Sequence, residues 1–135
     1  MAIRVLIDGE VVHVAWEGEP DEESLRRYFV DIADVSRRLP RYAILYDLRR
    51  AELPTASRRR LLATMSQRMP PEVRVNCIAI AFVTASAVIR AALVAVTWLQ
   101  PMKVEHLVAE TIEEAEPWIA SRLREAARTI DEAEG

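Results

Sequence analysis

Apolar residues alternate with polar ones at the start of the chain, then recur every third or fourth position, and this change of period marks the first elements. Residues 3–16, IRVLIDGEVVHVAW, read as a β-hairpin. Asp8-Gly9 is a two-residue turn signal, because Gly accepts positive φ and Asp tolerates it. With Ile7 opposite Glu10, the residues Ile3, Val5, Val12, Val14 and Trp16 share one face, which must pack on helices. Leu25, Tyr28, Phe29, Ile32, Val35 and Leu39 then fall at helical spacing. Asp21 is placed to cap that helix, Glu22 and Glu23 suit its positive end, Arg37 and Arg38 suit the other, and Pro40 stops it.

The remaining elements follow by the same reading. RYAILYDL (41–48) is a short apolar run bounded by turns, hence a buried strand. A helix is expected from about Thr55 to Met69, with Leu61, Leu62, Met65 and Met69 inward and Pro70-Pro71 at its end. VRVNCIAIAFV (73–83) is almost unbroken apolar sequence, the mark of a strand covered on both faces. SAVIRAALVAVTWLQP (86–101) reads as a helix apolar nearly all round, and Thr84 or Ser86 is expected to cap it. KVEHLVA makes a last strand. Thr111 and Glu114 form a capping box that opens a helix through Trp118, Ile119, Leu123, Ala126 and Ile130. Pro117 is expected to shift the start of that helix or bend it.

The order is β-β-α-β-α-β-α-β-α. Strands alternating with helices imply a sheet that is parallel after the opening hairpin. The expectation is one α/β domain over residues 1–130: a mixed five-stranded sheet with four helices, followed by a frayed acidic tail, 131–135.

Composition narrows the function classes. With 135 residues the chain can bury a core without metal or disulfide. A formal net charge of −3 argues against general nucleic-acid binding, which needs a basic surface. Lys103 is the single lysine among 18 basic residues, which fits a GC-rich coding bias and makes any arginine cluster less surprising. The lone Cys77 lies in an apolar run and reads as a buried, inert thiol in a reducing cytoplasm. The N-terminus lacks the basic and apolar regions of a signal peptide. Residues 86–99, the longest apolar run, contain Arg90 and are too short to span a bilayer, so no integral membrane segment is expected.

ILYDLR, IAIAFV, VIRAALVAVTWL and the closing TIEEAEPWI carry a resemblance across residues 3 to 128. The chain resembles the STAS domains of bacterial anti-sigma-factor antagonists, and most of all their SpoIIAA-like, or STAS/CRAL-TRIO-like, relatives. The resemblance implies a non-enzymatic regulatory module that binds a protein partner. In phosphorylated members the third strand ends in Asp-Ser-Ser-Gly or close to it, and a partner kinase modifies the serine. Here Asp47 matches the aspartate, but Leu48-Arg49 stand in place of the serine pair, and a longer loop leads to Thr55 and Ser57.

Two regions are candidate sites. The first is the edge from Asp47 through Arg49, Arg50, Thr55, Ser57, Arg58, Arg59 and Arg60. It follows a parallel strand and enters a helix, the end of an α/β sheet where ligands bind. Three arginines in a helix's first turn oppose the helix dipole by a few tenths of a kcal/mol each, which an acidic partner or phosphate would relieve. The competing reading is a set of solvated arginines with Asp47 holding a local turn. The second is the face of Val88, Ala92, Ala95, Trp98, Leu99 and Met102, either a homodimer contact or a groove for a small apolar ligand. The lipid-carrier side of the resemblance implies the latter. A phosphorylated switch at Thr55 or Ser57 is the third reading. His13 and His106 suggest no metal site. No nucleophile elbow, Walker loop or dinucleotide fingerprint is present, so neither catalysis nor a cofactor is expected.

Overall fold

In a computed structural model that describes residues 3–99 and 104–134, with backbone alone for 95–99 and 134, β1 (Ile3–Asp8) and β2 (Val11–Gly18) form the hairpin. Their register runs from Ile3↔Trp16 to Asp8↔Val11. The turn therefore centres on Gly9-Glu10, one residue later than expected. Gly9 has φ +61° while no non-glycine residue has positive φ among the described residues. A glycine at the first central position is what a type II′ turn requires. The pairing moves by two residues, an even number, so the expected face survives. Val12 and Val14 are fully buried, and Ile3 and Trp16 nearly so.

Asp21 caps α1 (Glu22–Arg38) by accepting the Ser24 N–H at 2.8 Å. The helix carries the chain to β3 (Tyr42–Ala51), parallel to β2. Then come α2 (Ala56–Gln67), α3 (Pro71–Val75), β4 (Cys77–Val83), α4 (Ala87–Leu99), β5 (Glu105–Ala109) and α5 (Ile112–Glu134). The sheet order is β1-β2-β3-β4-β5, with only the first pair antiparallel. This is the mixed five-stranded α/β sheet that the sequence predicts.

Among the described residues five helices, not four, accompany it. Residues 73–75 fold as the end of α3 rather than the start of a strand, because Pro71 sits where a helix tolerates proline best. Tyr42 holds this short helix by donating its hydroxyl to the Val73 carbonyl at 2.6 Å, and Asn76 Nδ2 donates to the Ser36 carbonyl at 3.0 Å. Thr111 Oγ1 accepts the Glu114 N–H at 3.2 Å, so α5 begins where the capping box places it. It continues through Pro117, with neither its start delayed nor its run interrupted, although a proline nitrogen has no hydrogen to donate. Its backbone stays helical into the acidic tail, as far as Glu134.

The two faces of the sheet are packed differently. α1 lies over β1, with α2 and α3 against it, and its Leu25, Tyr28, Ile32 and Val35 meet large residues of the sheet, among them Val12, Val14, Trp16, Tyr42 and Ile44. α5 lies over β3, β4 and β5 on a floor in which alanine predominates: Ala43, Ala79, Ala81 and Ala109, with Leu45 and Val83, meet its Ala115 and Ile119.

Candidate functional site

The edge at Asp47–Arg60 is built differently from a loop. β3 does not stop at Leu48 but continues to Ala51, pairing with β2 as far as Gly18↔Ala51. β4 ends earlier, opposite Asp47. The β2–β3 pair therefore projects past the rest of the sheet, and only residues 52–55 remain as a connection to α2.

Within that projection, between the pairs Ala15↔Asp47 and Glu17↔Arg50, one residue of β2, Trp16, stands against two of β3, Leu48 and Arg49. A bulge of this kind breaks strict alternation and puts neighbours on one side. Leu48 and Ala51 pack toward the α1 side of the core, while Asp47, Arg49 and Arg50 line the same groove on the other side. This groove has a volume of about 430 Å³ and is completed by Arg4, Ala15, Trp16 and Glu17.

Its charges are paired within the chain. Arg49 grips Asp47 with two guanidinium bonds, 2.9 and 2.8 Å, and its backbone N–H donates to the same carboxylate at 3.2 Å. That guanidinium holds the Asp47 carboxyl below its ordinary value. Glu17 is shared by Arg4 at 3.4 Å and Arg50 at 3.7 Å. Arg50 remains 81% exposed.

Across the connection, Thr55 caps α2 by accepting the Arg58 N–H at 3.3 Å. Glu19 accepts the Thr55 N–H at 3.2 Å and lies 4.0 Å from Arg58. Arg59 donates to the Pro54 carbonyl at 2.6 Å. Arg60 and Ser57 are exposed. The three residues 17–19 thus tie both halves of the candidate together: Glu17 to Arg50, Gly18 to the Glu52 N–H, and Glu19 to Thr55 and Arg58. The sequence reading missed Arg4, Glu17 and Glu19. Their signal was available, because a β2-α1-β3 crossover brings the ends of β2 and β3 side by side.

Neither position matched to the family's serine pair presents a hydroxyl. Leu48 packs against the core and Arg49 is held by Asp47.

The second candidate face is described only in part. Val88 is 62% exposed on α4 and Ala92 is half-buried. The side chains of Ala95, Trp98 and Leu99, and Met102 altogether, lie outside the described residues. Ser86 caps the helix by accepting the Ile89 N–H at 3.3 Å, and Thr84 Oγ1 accepts the Ser86 N–H at 3.1 Å. Both hydroxyls are spent on the turn.

His13 lies on β2 and His106 on β5, with two strands between them. Among the described residues no three His, Cys, Asp or Glu side chains gather as a metal set, and no helix is long and apolar enough to cross a membrane. Cys77 is buried, and burial pushes its thiol up to about 12.

Solved structures share this fold at low sequence identity. An uncharacterized protein from Shewanella loihica, with a SpoIIAA-like fold, superposes with a TM-score of 0.64 at 13% identity, covering 87% of this chain and 92% of that one. The anti-sigma factor antagonist SpoIIAA in its unphosphorylated form gives 0.59 at 14% identity, covering 88% and 98%. An anti-sigma factor antagonist from Mycobacterium paratuberculosis gives 0.52 at 17% identity, covering 88% and 93%. No curated protein matches this sequence. The model of the divergent CRAL/TRIO domain matches residues 5–134, nearly the whole α/β unit just described. This chain belongs to the divergent CRAL/TRIO domain family.

Proposed function

We propose that this protein is a non-enzymatic STAS-like regulatory module that binds a partner protein through the projecting β2–β3 edge and the first turn of α2. Asp47, Arg49, Arg50, Thr55, Ser57, Arg58, Arg59 and Arg60 form the contact set. The carrying observation is the bulge, which puts Arg49 and Arg50 side by side on a projection laced to the arginines of α2. Similarity of fold to two anti-sigma factor antagonists supports the same reading.

The internal ion pairs do not oppose docking. Exposed pairs contribute about 0–1 kcal/mol each, so a partner's carboxylates exchange for Glu17 and Glu19 at little cost. α2 has no acidic residue in its first turn, so its positive end is met only by Glu19 from the end of β2, and a partner's carboxylates would add to that.

The test is reversal of Arg58, Arg59 and Arg60 to glutamate in the full chain. Binding of a copurified partner, measured by titration calorimetry, should weaken at least tenfold. Stability should hold within about 1 kcal/mol, since acidic residues near a helix N-terminus gain what the lost surface pairs give up. A triple variant that binds its partner as the parent does overturns the assignment.

A carrier of a small apolar ligand is the second reading, favoured by the exposed Val88 on an apolar helix and by membership in the divergent CRAL/TRIO family. Native mass spectrometry separates the two. Extra mass that disappears on denaturation, and is lost in Ala92→Trp, would establish a carried ligand, whereas a bare chain would leave the docking module.

A further inference from the structure

β1 closes one side of the sheet. It pairs with β2 and, among the described residues, with no other strand. An open edge of this kind offers a row of N–H and C=O groups, and chains that avoid pairing there block it with proline, lysine, a bulge or a covering loop. β1 has no proline, lysine or bulge, and among the described residues no loop covers it. Its register is unbroken, and its central residue, Leu6, is 66% exposed on the face away from α1.

The hairpin decides which groups are open. Asp8 and Val11 flank a two-residue turn and form a hydrogen-bonded pair. Alternation then directs the backbone of Asp8, Leu6 and Arg4 toward β2, and that of Ile7, Val5 and Ile3 outward.

We infer that a second copy of this chain occupies the edge, β1 against β1 in antiparallel fashion, about a two-fold axis at Leu6 that joins the two five-stranded sheets. The strand is self-complementary in this register. Val5 stands opposite Ile7 of the partner subunit, so the outward residues of each copy bond to those of the other. Leu6 meets its own twin and is covered. Arg4 stands opposite Asp8 of the partner subunit, and of the two-fold registers that keep both α1 helices on the same face of the sheet, only this one matches those charges. Opposite charges directly across an antiparallel pair are favourable, and a two-fold axis makes the contact twice.

The groove below the edge fits the same arrangement. It has a volume of about 270 Å³, between Val5–Ile7 of β1 and Asp31, Asp34 and Arg38 of α1. Two copies related by this axis bring their α1 helices toward each other across it. Each helix offers both signs of charge, as a contact between identical surfaces requires. Asp34 already draws Arg38 to 3.5 Å and Arg37 to 3.8 Å within one chain.

Sedimentation velocity on the intact chain should give the mass of a dimer. Leu6→Arg should give a monomer with unchanged circular dichroism, since that side chain makes no core contact. Asp8→Arg should raise the dissociation constant at least tenfold, and adding Arg4→Asp to it should restore dimerisation. Mild oxidation should crosslink Leu6→Cys to its twin. Arg4→Cys should stay uncrosslinked, because its twin lies four residues along, roughly 13 Å away. A chain that is monomeric throughout the micromolar range overturns the inference. So does a dimer that survives Leu6→Arg or fails to crosslink through Leu6→Cys, since it would use another face.

Discussion

All three tyrosines of the chain are expected to stay protonated above pH 10, and then to ionise together as the fold is lost. Burial raises Tyr28 well above the ordinary phenol value, and the neighbouring Tyr46 adds to the effect. Burial likewise lifts Tyr46 to about 12, against a smaller opposite pull from its hydrogen bond with Tyr28, and it raises Tyr42 as well. The Cys77 thiol moves the same way, from 9.0 to about 12. In each case the folded value lies above the unfolded one, so the folded chain holds its proton longer. The contribution is complete below pH 9 and drains away as pH climbs through 10 toward 12.

The amounts are large. Raising Tyr46 to about 12 corresponds to roughly 3 kcal/mol, and raising Cys77 to about 12 to roughly 4 kcal/mol. Domains of this size are stable by about 5–15 kcal/mol, so these two groups alone remove much of it. Phenolate absorbance and far-ultraviolet circular dichroism, followed in parallel, should change in one transition. Phenolate appearing near pH 10 with the dichroism intact would contradict the prediction. Tyr46→Phe should cost about 1–3 kcal/mol at neutral pH, because the Tyr28 hydroxyl is left buried without its partner. Replacing both by Phe should cost less than that single change and move the alkaline transition upward.

Periodicity carried most of the fold because the elements are locally consistent. The Asp21 cap, the Leu25–Leu39 stripe and the Thr111 capping box each specify an element without help from the rest of the chain. The misses share a cause, which is that tertiary partners decided them. Residues 73–75 read as the start of a strand because Val73 and Val75 lead into an apolar run, and they become a helix where Tyr42 and Asn76 tie them down. Pro117 looks disruptive in isolation, but α5 is held by burial of Ala115 and Ile119 on either side of it.

The candidate edge was legible as a cluster and illegible as a shape. Asp47 and the arginines stand out in sequence, yet a strand of strict period two would set Arg49 and Arg50 on opposite faces. The bulge that reunites them is a property of the β2–β3 pairing, and single-strand periodicity cannot register it. Glu17 and Glu19 escaped notice for a similar reason. They read as the polar end of a hairpin, and only the parallel partner strand makes them the acidic half of the site.

The unequal faces of the sheet give the second large effect. Under α5 the strands present Ala43, Leu45, Ala79, Ala81, Val83 and Ala109, each at most 2% exposed, so helix and sheet meet across a filled layer in which small residues predominate. Ala81→Leu adds volume at the centre of that layer, and overpacking of this kind costs about 1–3 kcal/mol. The upper end is expected, because α5 rests on β3, β4 and β5 together and cannot tilt away from one strand without loosening the others. Under α1 the layer is filled by large residues, and the opposite change is the damaging one. Leu25→Ala, at 1% exposure, should cost about 2–5 kcal/mol through lost contact and the cavity left behind. Urea unfolding should show both as shifts in midpoint at constant slope. Ile119→Ala, placed with Ala81→Leu, should recover part of the loss, since both residues occupy the same layer and neighbouring changes do not add. If Ala81→Leu leaves the midpoint where it was, the filled layer between α5 and the sheet is not what sets the stability of that face.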